Sequence, residues 1–298
     1  MYSYFRNFKK IRRWCILTIQ SLIRSLSATQ CVSNQLILKV CQQYYQVSSQ
    51  LDFLLDFVVQ HLKVDKQIIF KQRWLHQSLN AAGFITFFDQ AYPTQLRQIY
   101  NPPAILYYVG NLQLLKTPIV ALIGSRACNH YTEQIMYGLI PGLVEQKITT
   151  ISGLARGADS FCHQITLNHF GNTIAVVGNS VDYFYPAENK ALQLQISQQG
   201  LILSEYPPTT SPRRYYFPQR NRIIAGLCDN LLVTQARQRS GTLITAELAL
   251  QENRNVWAVP GPITSSLSQG CNQLITAGAR PYLNATEFIN DLKVAKKI

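Results

Sequence analysis

The 298-residue sequence predicts an α/β fold: an extended Rossmann-like parallel sheet with helices on both of its faces. From Pro118 onward, short apolar strands alternate with segments of helical pattern, which is typical of a parallel sheet with crossover helices. These strands are apolar at nearly every position, as expected where both faces of the sheet are covered. Glycine or another small residue follows almost every strand, at the sheet edge where such folds bind ligands.

The elements of this sheet follow one another in regular order. Near-continuous apolar runs predict the strands, and a 3.6-residue apolar period predicts the helices. The predicted strands are Val120–Ile123, Ile148–Ile151, Thr173–Val177, Leu201–Leu203, Leu231–Val233 and Val256–Val259. The predicted helices cover about residues 131–146, a segment that begins near 157, and then about 188–199, 242–252 and 269–277.

A small helical domain is predicted before the sheet, at residues 26–80, because its apolar side chains recur at helical spacing. Residues 81–117 change character, since two strand-like runs alternate there with proline turns. We interpret them as a linker or lead-in that packs on the Rossmann-like domain, residues 118–298, and can add an edge strand. Residues 1–25 form a basic extension, for which a nucleic-acid arm, a surface-seeking helix and a poorly ordered tail stay open.

The composition limits the class of partner. A net charge of +13 favours a polyanion, either nucleic acid or an anionic membrane. No apolar run reaches transmembrane length, and the one near the N-terminus is too short for a signal peptide, so we expect no membrane role. The seven cysteines are scattered and form no Cys-x-x-Cys pair, which argues against a disulfide framework or a zinc site. These features predict a cytoplasmic protein without a metal centre.

The stretch from residue 217 to residue 247, with the run that leads into it, is the most informative part of the chain. The run is basic and aromatic, has no acidic residue, and contains Arg213, Arg214, Tyr215, Tyr216, Phe217, Arg220 and Arg222. Arginine forks match phosphate oxygens, and aromatic rings offer stacking faces to unpaired bases. Ser240-Gly241-Thr242 then begins a helix, whose free N–H groups and dipole favour an anion. Together they predict a site for a ligand that contains phosphates and bases.

Two further motifs at strand ends extend this site. Gly124-Ser125-Arg126 directly follows a strand and combines a tight turn with a hydroxyl group and a positive charge. Arg156 and Gly157 lie in SGLARGAD, where two glycines flank the arginine before a helix, a pattern that can form an anion-binding nest. The fingerprint Gly-x-Gly-x-x-Gly is absent after the first strand, which argues against a nicotinamide enzyme.

Two neighbouring segments are interpreted as structural. Asp159 and His163 share a helix face, but no nucleophile or third group completes a catalytic set. They therefore favour a cap or arginine partner and an oriented buried histidine over an acid–base pair. The turn that contains Asp182, Tyr185 and Pro186 is likewise interpreted as structural.

At this point the residues resemble a known family. SGLARGAD, YP-x-x-N at 185–189, SEYPP at 204–208, FPQRNRIIAGL at 217–227, SGTLITAELAL at 240–250 and VPGP at 259–262 are similar to the DNA-processing protein A family (DprA/Smf). The resemblance covers roughly residues 84–283, and the FPQRNRIIAGL and SGTLITA blocks are its most specific parts.

The resemblance implies a function without enzymatic turnover. It implies a homodimer that binds single-stranded DNA without sequence preference and loads RecA recombinase onto incoming DNA during natural transformation. It implies no catalytic residue, no metal and no cofactor. Some members have a C-terminal winged-helix domain, and we expect none here.

The resemblance also implies roles for single residues. Arg126 and Phe217 would line the strand-binding pocket, and Arg214 would contact DNA beside them. Arg220 and Arg222 belong to the same motif, although one of them can instead be a structural ion-pair partner. The residues assigned to the DNA site are Gly124, Ser125, Arg126, Arg156, Gly157, Arg214, Phe217, Arg220, Asn221, Arg222, Ser240, Gly241 and Thr242.

The sequence departs from the family pattern in a few loops. Gln235 stands where a glutamate is common, Ala158 replaces a usual isoleucine, and Asn179-Ser180 replaces a more glycine-rich turn. The alternative function is a Rossmann-like nucleotide-binding or nucleoside-monophosphate-processing enzyme. Related enzymes of that kind use Gly-Thr-x-x-Glu, but here Thr245 occupies the glutamate position.

Overall fold

The computed structural model of the protein describes residues 18–76 and 82–294. Most of the basic extension predicted at residues 1–25 therefore lies outside the described residues. The fold is α/β, with a mostly parallel sheet flanked by helices and a helical region before it, as the sequence predicts.

Nine strands of the described residues form one sheet. They are β1 Gly83–Thr86, β2 Ile105–Gly110, β3 Ile119–Ile123, β4 Thr149–Ser152, β5 Thr173–Val176, β6 Leu201–Ser204, β7 Asn230–Val233, β8 Asn255–Ala258 and β9 Arg280–Pro281. Their spatial order is β1-β2-β6-β5-β4-β3-β7-β8-β9. Strands β3 to β9 run parallel, whereas β2 runs antiparallel to both β1 and β6. The lead-in thus contributes two strands at one edge.

The same ranges contain twelve α-helices and two short 3₁₀ helices. The α-helices are α1 Ile19–Ala28, α2 Asn34–Gln46, α3 Leu51–His61, α4 Val64–His76, α5 Thr94–Arg97, α6 His130–Glu145, α7 Ala158–Asn168, α8 Lys190–Gln199, α9 Tyr216–Leu227, α10 Gly241–Gln251, α11 Gln269–Thr276 and α12 Ala285–Val294. The 3₁₀ helices are Leu112–Lys116 and Ala187–Asn189.

The N-terminal helices share a core with the sheet. Leu26 of α1 and Leu54 of α3 belong to the same apolar cluster as Tyr107 of β2. The Tyr107 hydroxyl also donates a hydrogen bond to Ser27 Oγ at 3.1 Å. Because α1 begins at Ile19, it crosses the boundary predicted at residue 25. The division into separate domains stays a prediction.

The strands are buried on both faces, which explains why most of them are largely apolar. In β7, Leu231 and Val233 pack on the face covered by α9 and α10, whereas Leu232 packs on the face covered by α6 and α7. All three side chains are fully buried. Successive residues of a strand point to opposite faces, so a strand between two helical layers is buried at every position and is apolar at most of them.

The strand order reverses between β3 and β7. The chain places β4, β5 and β6 on one side of β3 and then crosses to place β7 on the other side. In an open parallel sheet, such a reversal leaves a crevice outside the carboxyl ends of the two strands, and ligands bind there.

Candidate nucleic-acid interface

A cleft of about 630 Å³ lies at this reversal, at the carboxyl ends of β3 and β7. Its walls are the turn after β3, the segment that begins α9, and the segment that leads from β7 into α10. Ten of the thirteen residues assigned from the sequence line it: Gly124, Ser125, Arg126, Arg214, Phe217, Arg220, Asn221, Ser240, Gly241 and Thr242.

The turn after β3 is tightly packed from behind. A Cβ atom on Gly124 would lie 2.7 Å from the Cβ of Ala158, so only glycine fits there. Gly157 has a φ of +69°, and a Cβ on it would lie 2.6 Å from the carbonyl oxygen of Ser125. The N–H of Ala158 donates to that same carbonyl at 3.2 Å. These contacts fix the backbone beneath Arg126 and leave its side chain exposed in the cleft.

An aromatic ring and a guanidinium group face each other across the cleft. The Cζ atom of Arg126 lies 5.5 Å from the centre of the Phe217 ring, within cation–π range. Behind the ring, Gly178 leaves room for close approach, since a Cβ there would lie 3.0 Å from Phe217 Cδ1. The Tyr185 ring lies 5.5 Å from the Phe217 ring at an interplanar angle of 34°. The cleft thus presents stacking surfaces beside a positive charge.

The floor of the cleft contains two buried groups of opposite charge, Arg220 and Asp159. Arg220 is buried and donates from Nη1 to the carbonyl oxygen of Val176 at 2.8 Å. Burial is the main cause that lowers the pKa of Arg220 to about 10; Asp159 opposes this shift, and Arg126 adds to it. Burial also raises the pKa of Asp159, while Arg220 and the N–H of Ala155 favour its carboxylate. Arg220 therefore balances Asp159 and contributes less positive charge to the cleft than an exposed arginine does.

The opposite wall is the start of α10. The Thr242 hydroxyl donates to the carbonyl oxygen of Gly124 at 3.0 Å and so ties this wall to the turn after β3. Ser240 precedes the helix, and its buried Oγ has no hydrogen-bond partner among the described residues. A helix of eleven residues begins here, so its free N–H groups and its dipole favour an anion in the cleft.

The charge that the cleft exposes is positive. Arg126, Arg214 and Arg237 line it and are exposed. Asp159 is the one carboxylate among the lining residues, and it is buried. Anionic ligands are therefore favoured.

Three predicted site residues lie outside the cleft. Arg156 points away and forms an exposed ion pair with Glu188. Gly157 supports the turn from behind. Arg222 pairs with Glu205, whose Oε1 lies 2.6 Å from Arg222 Nη2 in a mostly buried setting. Burial raises the pKa of Glu205, and Arg222 opposes that shift. Of the two motif arginines, Arg220 is the one that reaches the cleft.

Tyr185 and Arg237 also line the cleft, although neither was assigned to the site from the sequence. Tyr185 was interpreted as part of a structural turn, but its ring lies beside Phe217. Arg237 lies between β7 and α10 and adds a third exposed arginine. The loop sequence TQARQRSGT contains Arg237 and Arg239, and this excess of positive charge could have indicated a cleft arginine. Their spacing alone does not show that Arg237, and not Arg239, lines the cleft.

Other candidate chemistry has a structural explanation. His163 is fully buried, with Nδ1 2.7 Å from Thr173 Oγ1, and burial together with Arg220 lowers its pKa to about 3. Residues 18–76 and 82–294 contain no cluster of three or more His, Cys, Asp or Glu side chains that could hold a metal ion. Over the same described ranges, no helix combines the length and apolar character needed to cross a bilayer.

Known proteins resemble this chain in sequence and in fold. The sequence model of a family described as DNA recombination-mediator protein A matches residues 83–293. The chain belongs to this family. The matched range contains the whole sheet and every residue of the cleft.

Relatives in this family match most of the chain. The DNA processing protein DprA of Streptococcus pneumoniae is 43% identical over 269 residues, which is 88% of this chain and 94% of that protein. Its Bacillus subtilis counterpart is 36% identical over 205 residues, 68% of this chain and 69% of that protein.

Solved structures of the family have the same fold. The X-ray structure of DNA processing protein A from S. pneumoniae covers 92% of this chain and 98% of its own, with 37% identity and a TM-score of 0.82. DNA processing protein A from Helicobacter pylori, described for its single-stranded DNA binding mode, covers 71% and 96%, with 32% identity and a TM-score of 0.65.

Proposed function

We propose that the protein binds single-stranded DNA in the cleft without preference for sequence, and that it does so as a recombination mediator. In this proposal it acts in the cytoplasm as a homodimer, protects incoming DNA, and loads RecA recombinase during natural transformation. It catalyses no reaction and needs no cofactor. Membership of the recombination-mediator family supports the role, and the single-stranded DNA binding described for the H. pylori relative supports the ligand.

The observation that most strongly supports binding of single-stranded DNA is the position of Phe217. Its ring lies at the sheet reversal, with Arg126 at cation–π distance and Arg214 and Asn221 on the same cleft. Stacking on an aromatic ring is open to any base that is not paired, whereas the bases of a duplex are already stacked. Arginines beside the ring hold phosphates without reading the sequence. The combination favours single strands over duplex and tolerates any base.

Competition tests this ligand preference. Labelled oligo-dT bound to the protein is challenged with unlabelled oligo-dT or with duplex of the same length. We expect the single strand to compete at a much lower concentration than the duplex. Equal competition by the two would contradict the proposal.

The mediator role needs a separate assay. RecA ATPase activity is followed on oligo-dT that is already covered by single-strand-binding protein, with and without this protein. We expect the lag before ATP hydrolysis to shorten. An unchanged lag, with DNA binding intact, would contradict RecA loading and would support DNA binding alone. Sedimentation equilibrium of the same preparation tests the homodimer.

The alternative is an enzyme that processes nucleoside monophosphates. Such an enzyme needs a carboxylate near the start of α10, but Thr245 occupies that position and bonds through Oγ1 to the carbonyl oxygen of Gly241. Glu247 is exposed, and Asp159 is buried. Chromatography of nucleoside monophosphates after incubation tests it. Base release that is lost in Asp159→Asn would favour the enzyme.

A further inference from the structure

A second cavity, of about 500 Å³, lies beside the start of α9, and we call it the side pocket. One wall is the turn between α1 and α2, with Gln30, and the other is formed by Tyr206, Tyr215, Tyr216 and Arg222. The side pocket therefore lies where the N-terminal helical region meets the sheet. Part of its lining comes from the basic, aromatic run that begins at residue 213. Tyr215 and Tyr216 of this run do not line the cleft, so the cleft gives them no role.

The side pocket contains stacked aromatic rings. The rings of Tyr206 and Tyr216 lie 3.8 Å apart at an interplanar angle of 30°. The Tyr215 ring meets Tyr216 edge-on at 4.6 Å and is 53% exposed. Tyr206 is fixed by a hydrogen bond from its hydroxyl to Gln219 Oε1 at 2.8 Å. Tyr206 and Tyr216 thus form a rigid base on which Tyr215 presents an open face to a ligand ring.

The charge and polarity of the side pocket suit a nucleotide. Glu205 is the one carboxylate among its lining residues, and it is neutralised by Nη2 of Arg222. The other two guanidinium nitrogens of Arg222, Nε and Nη1, are buried without a hydrogen-bond partner among the described residues. Lys66 adds an exposed positive charge at the rim. The lining thus combines positive charge and aromatic rings, a combination that binds bases and phosphates.

The side pocket and the cleft are the two sides of one short segment. Arg214 and Phe217 line the cleft, whereas Tyr215 and Tyr216 line the side pocket. Neighbouring residues of the same segment therefore face different cavities. A DNA strand with one base stacked on Phe217 could therefore place a further base on the exposed ring of Tyr215, in the same segment.

We propose that the side pocket is a second subsite for the strand held in the cleft and takes one of its bases, stacked on Tyr215. The inference rests on the proposed function of the cleft and extends it. Longer strands then gain contacts that short strands do not reach. The N-terminal helical region contributes to DNA binding through Gln30 and Lys66 at the opposite wall.

Length dependence tests the second subsite. The affinity of labelled oligo-dT from about 4 to about 16 nucleotides is measured by anisotropy for wild type, Tyr215→Ala and Tyr137→Ala. Tyr137 is a matched control because it is 49% exposed and lines neither cavity. Tyr215 makes no capping hydrogen bond to α9, so its replacement spares the fold.

We expect Tyr215→Ala to bind the shortest oligonucleotides like wild type and the longest roughly tenfold more weakly, as for the loss of one stacked base. Tyr137→Ala should match wild type at every length. An unchanged affinity of Tyr215→Ala at all lengths, or the same loss at all lengths, would overturn the second subsite while leaving the cleft in place.

Two further outcomes are informative. Tyr215-dependent binding of thymidine 5′-monophosphate, without any length-dependent loss, would assign the side pocket to a free nucleotide and overturn its assignment to the strand. Failure of wild type to bind any oligonucleotide would refute the proposed function itself and the second subsite with it.

Discussion

The guanidinium carbon of Arg126 lies 5.5 Å from the centre of the Phe217 ring, although 90 residues separate the two in the chain. Arg126 extends from the turn after β3, and Phe217 lies in the first turn of α9. A base inserted against Phe217 would have the charge of Arg126 beside it for the adjoining phosphate. This pair is the geometric centre of the proposed interface.

Replacing Phe217 removes the stacking surface. We expect Phe217→Ala to weaken binding to oligo-dT by about 1–3 kcal/mol, because one base loses its aromatic partner. Fluorescence anisotropy measures the change. Phe170→Ala is the control, since Phe170 is 97% exposed and precedes the amino-terminal end of β5, at the edge opposite the cleft. Equal affinity of Phe217→Ala and wild type would exclude a stacking role.

Replacing Arg126 removes a phosphate contact. For single strands, the logarithm of the affinity falls with the logarithm of the salt concentration with a slope of about 0.7 per neutralised phosphate. We therefore expect Arg126→Ala to weaken binding and to reduce that slope by about 0.7. Lys147→Ala, an exposed charge just before β4, should leave the slope unchanged. A slope that Arg126→Ala does not change would show that this side chain neutralises no phosphate.

Arg222 is expected to act on stability. Its side chain and that of Glu205 are only 12% and 9% exposed, so removing one partner leaves an unpaired buried charge. We expect Arg222→Ala to lower the free energy of unfolding by about 3–5 kcal/mol, measured by urea denaturation. Adding Glu205→Gln should restore part of this loss, because the carboxylate is then gone. Unchanged stability of the single variant would contradict a structural ion pair.

His163 is expected to make stability depend on pH. Burial and Arg220 lower its pKa to about 3, from an ordinary value of 6.5. Between about pH 6.5 and pH 3, His163 therefore binds a proton in the unfolded chain but not in the folded protein. The stabilisation is complete above that pH and falls as the pH drops towards 3, by up to about 1.4 kcal/mol per pH unit.

Comparison with His163→Gln isolates this contribution. Glutamine keeps a polar group near Thr173 and does not titrate. Urea denaturation from about pH 7 to about pH 4 should show a stability difference between wild type and variant that changes steadily with pH. A constant difference over that range would show that His163 does not couple folding to protonation.

The sequence predicted the sheet well because its signal is local. Most strands from β3 to β8 are largely apolar, because both faces of the sheet are covered; β4, with Thr149, Thr150 and Ser152, is the exception. The start of α9 had no comparable signal, since Tyr215 precedes it without a capping hydrogen bond and the first turns are basic and aromatic. No helix was therefore predicted there, although the segment is helical from Tyr216 onward.

The orientation of single side chains depends on tertiary structure. Arg220 and Arg222 are two residues apart on a helix, so they point about 200° away from each other. Their spacing therefore indicates that only one faces the cleft, but the packing of α9 on the sheet decides that it is Arg220. Tyr185 reaches Phe217 because the loop after β5 folds across the sheet edge, which no local pattern indicates.

Gln235 shows how a departure from the family pattern can be accommodated. Its Oε1 accepts hydrogen bonds from the N–H of Asn129 and from the Thr132 hydroxyl, at 3.1 Å and 3.0 Å. Both bonds need only an acceptor, which the carboxylate of a glutamate also provides. The substitution therefore keeps the link between the end of β7 and the start of α6.

The most direct measurement compares labelled oligo-dT with duplex of the same length, by anisotropy, for wild type and the double variant Arg126→Ala/Phe217→Ala. The account predicts that wild type strongly prefers the single strand and that the double variant loses this preference. Equal binding of both DNAs by wild type, unchanged in the double variant, would contradict the account. The basic surface would then bind DNA without using the cleft.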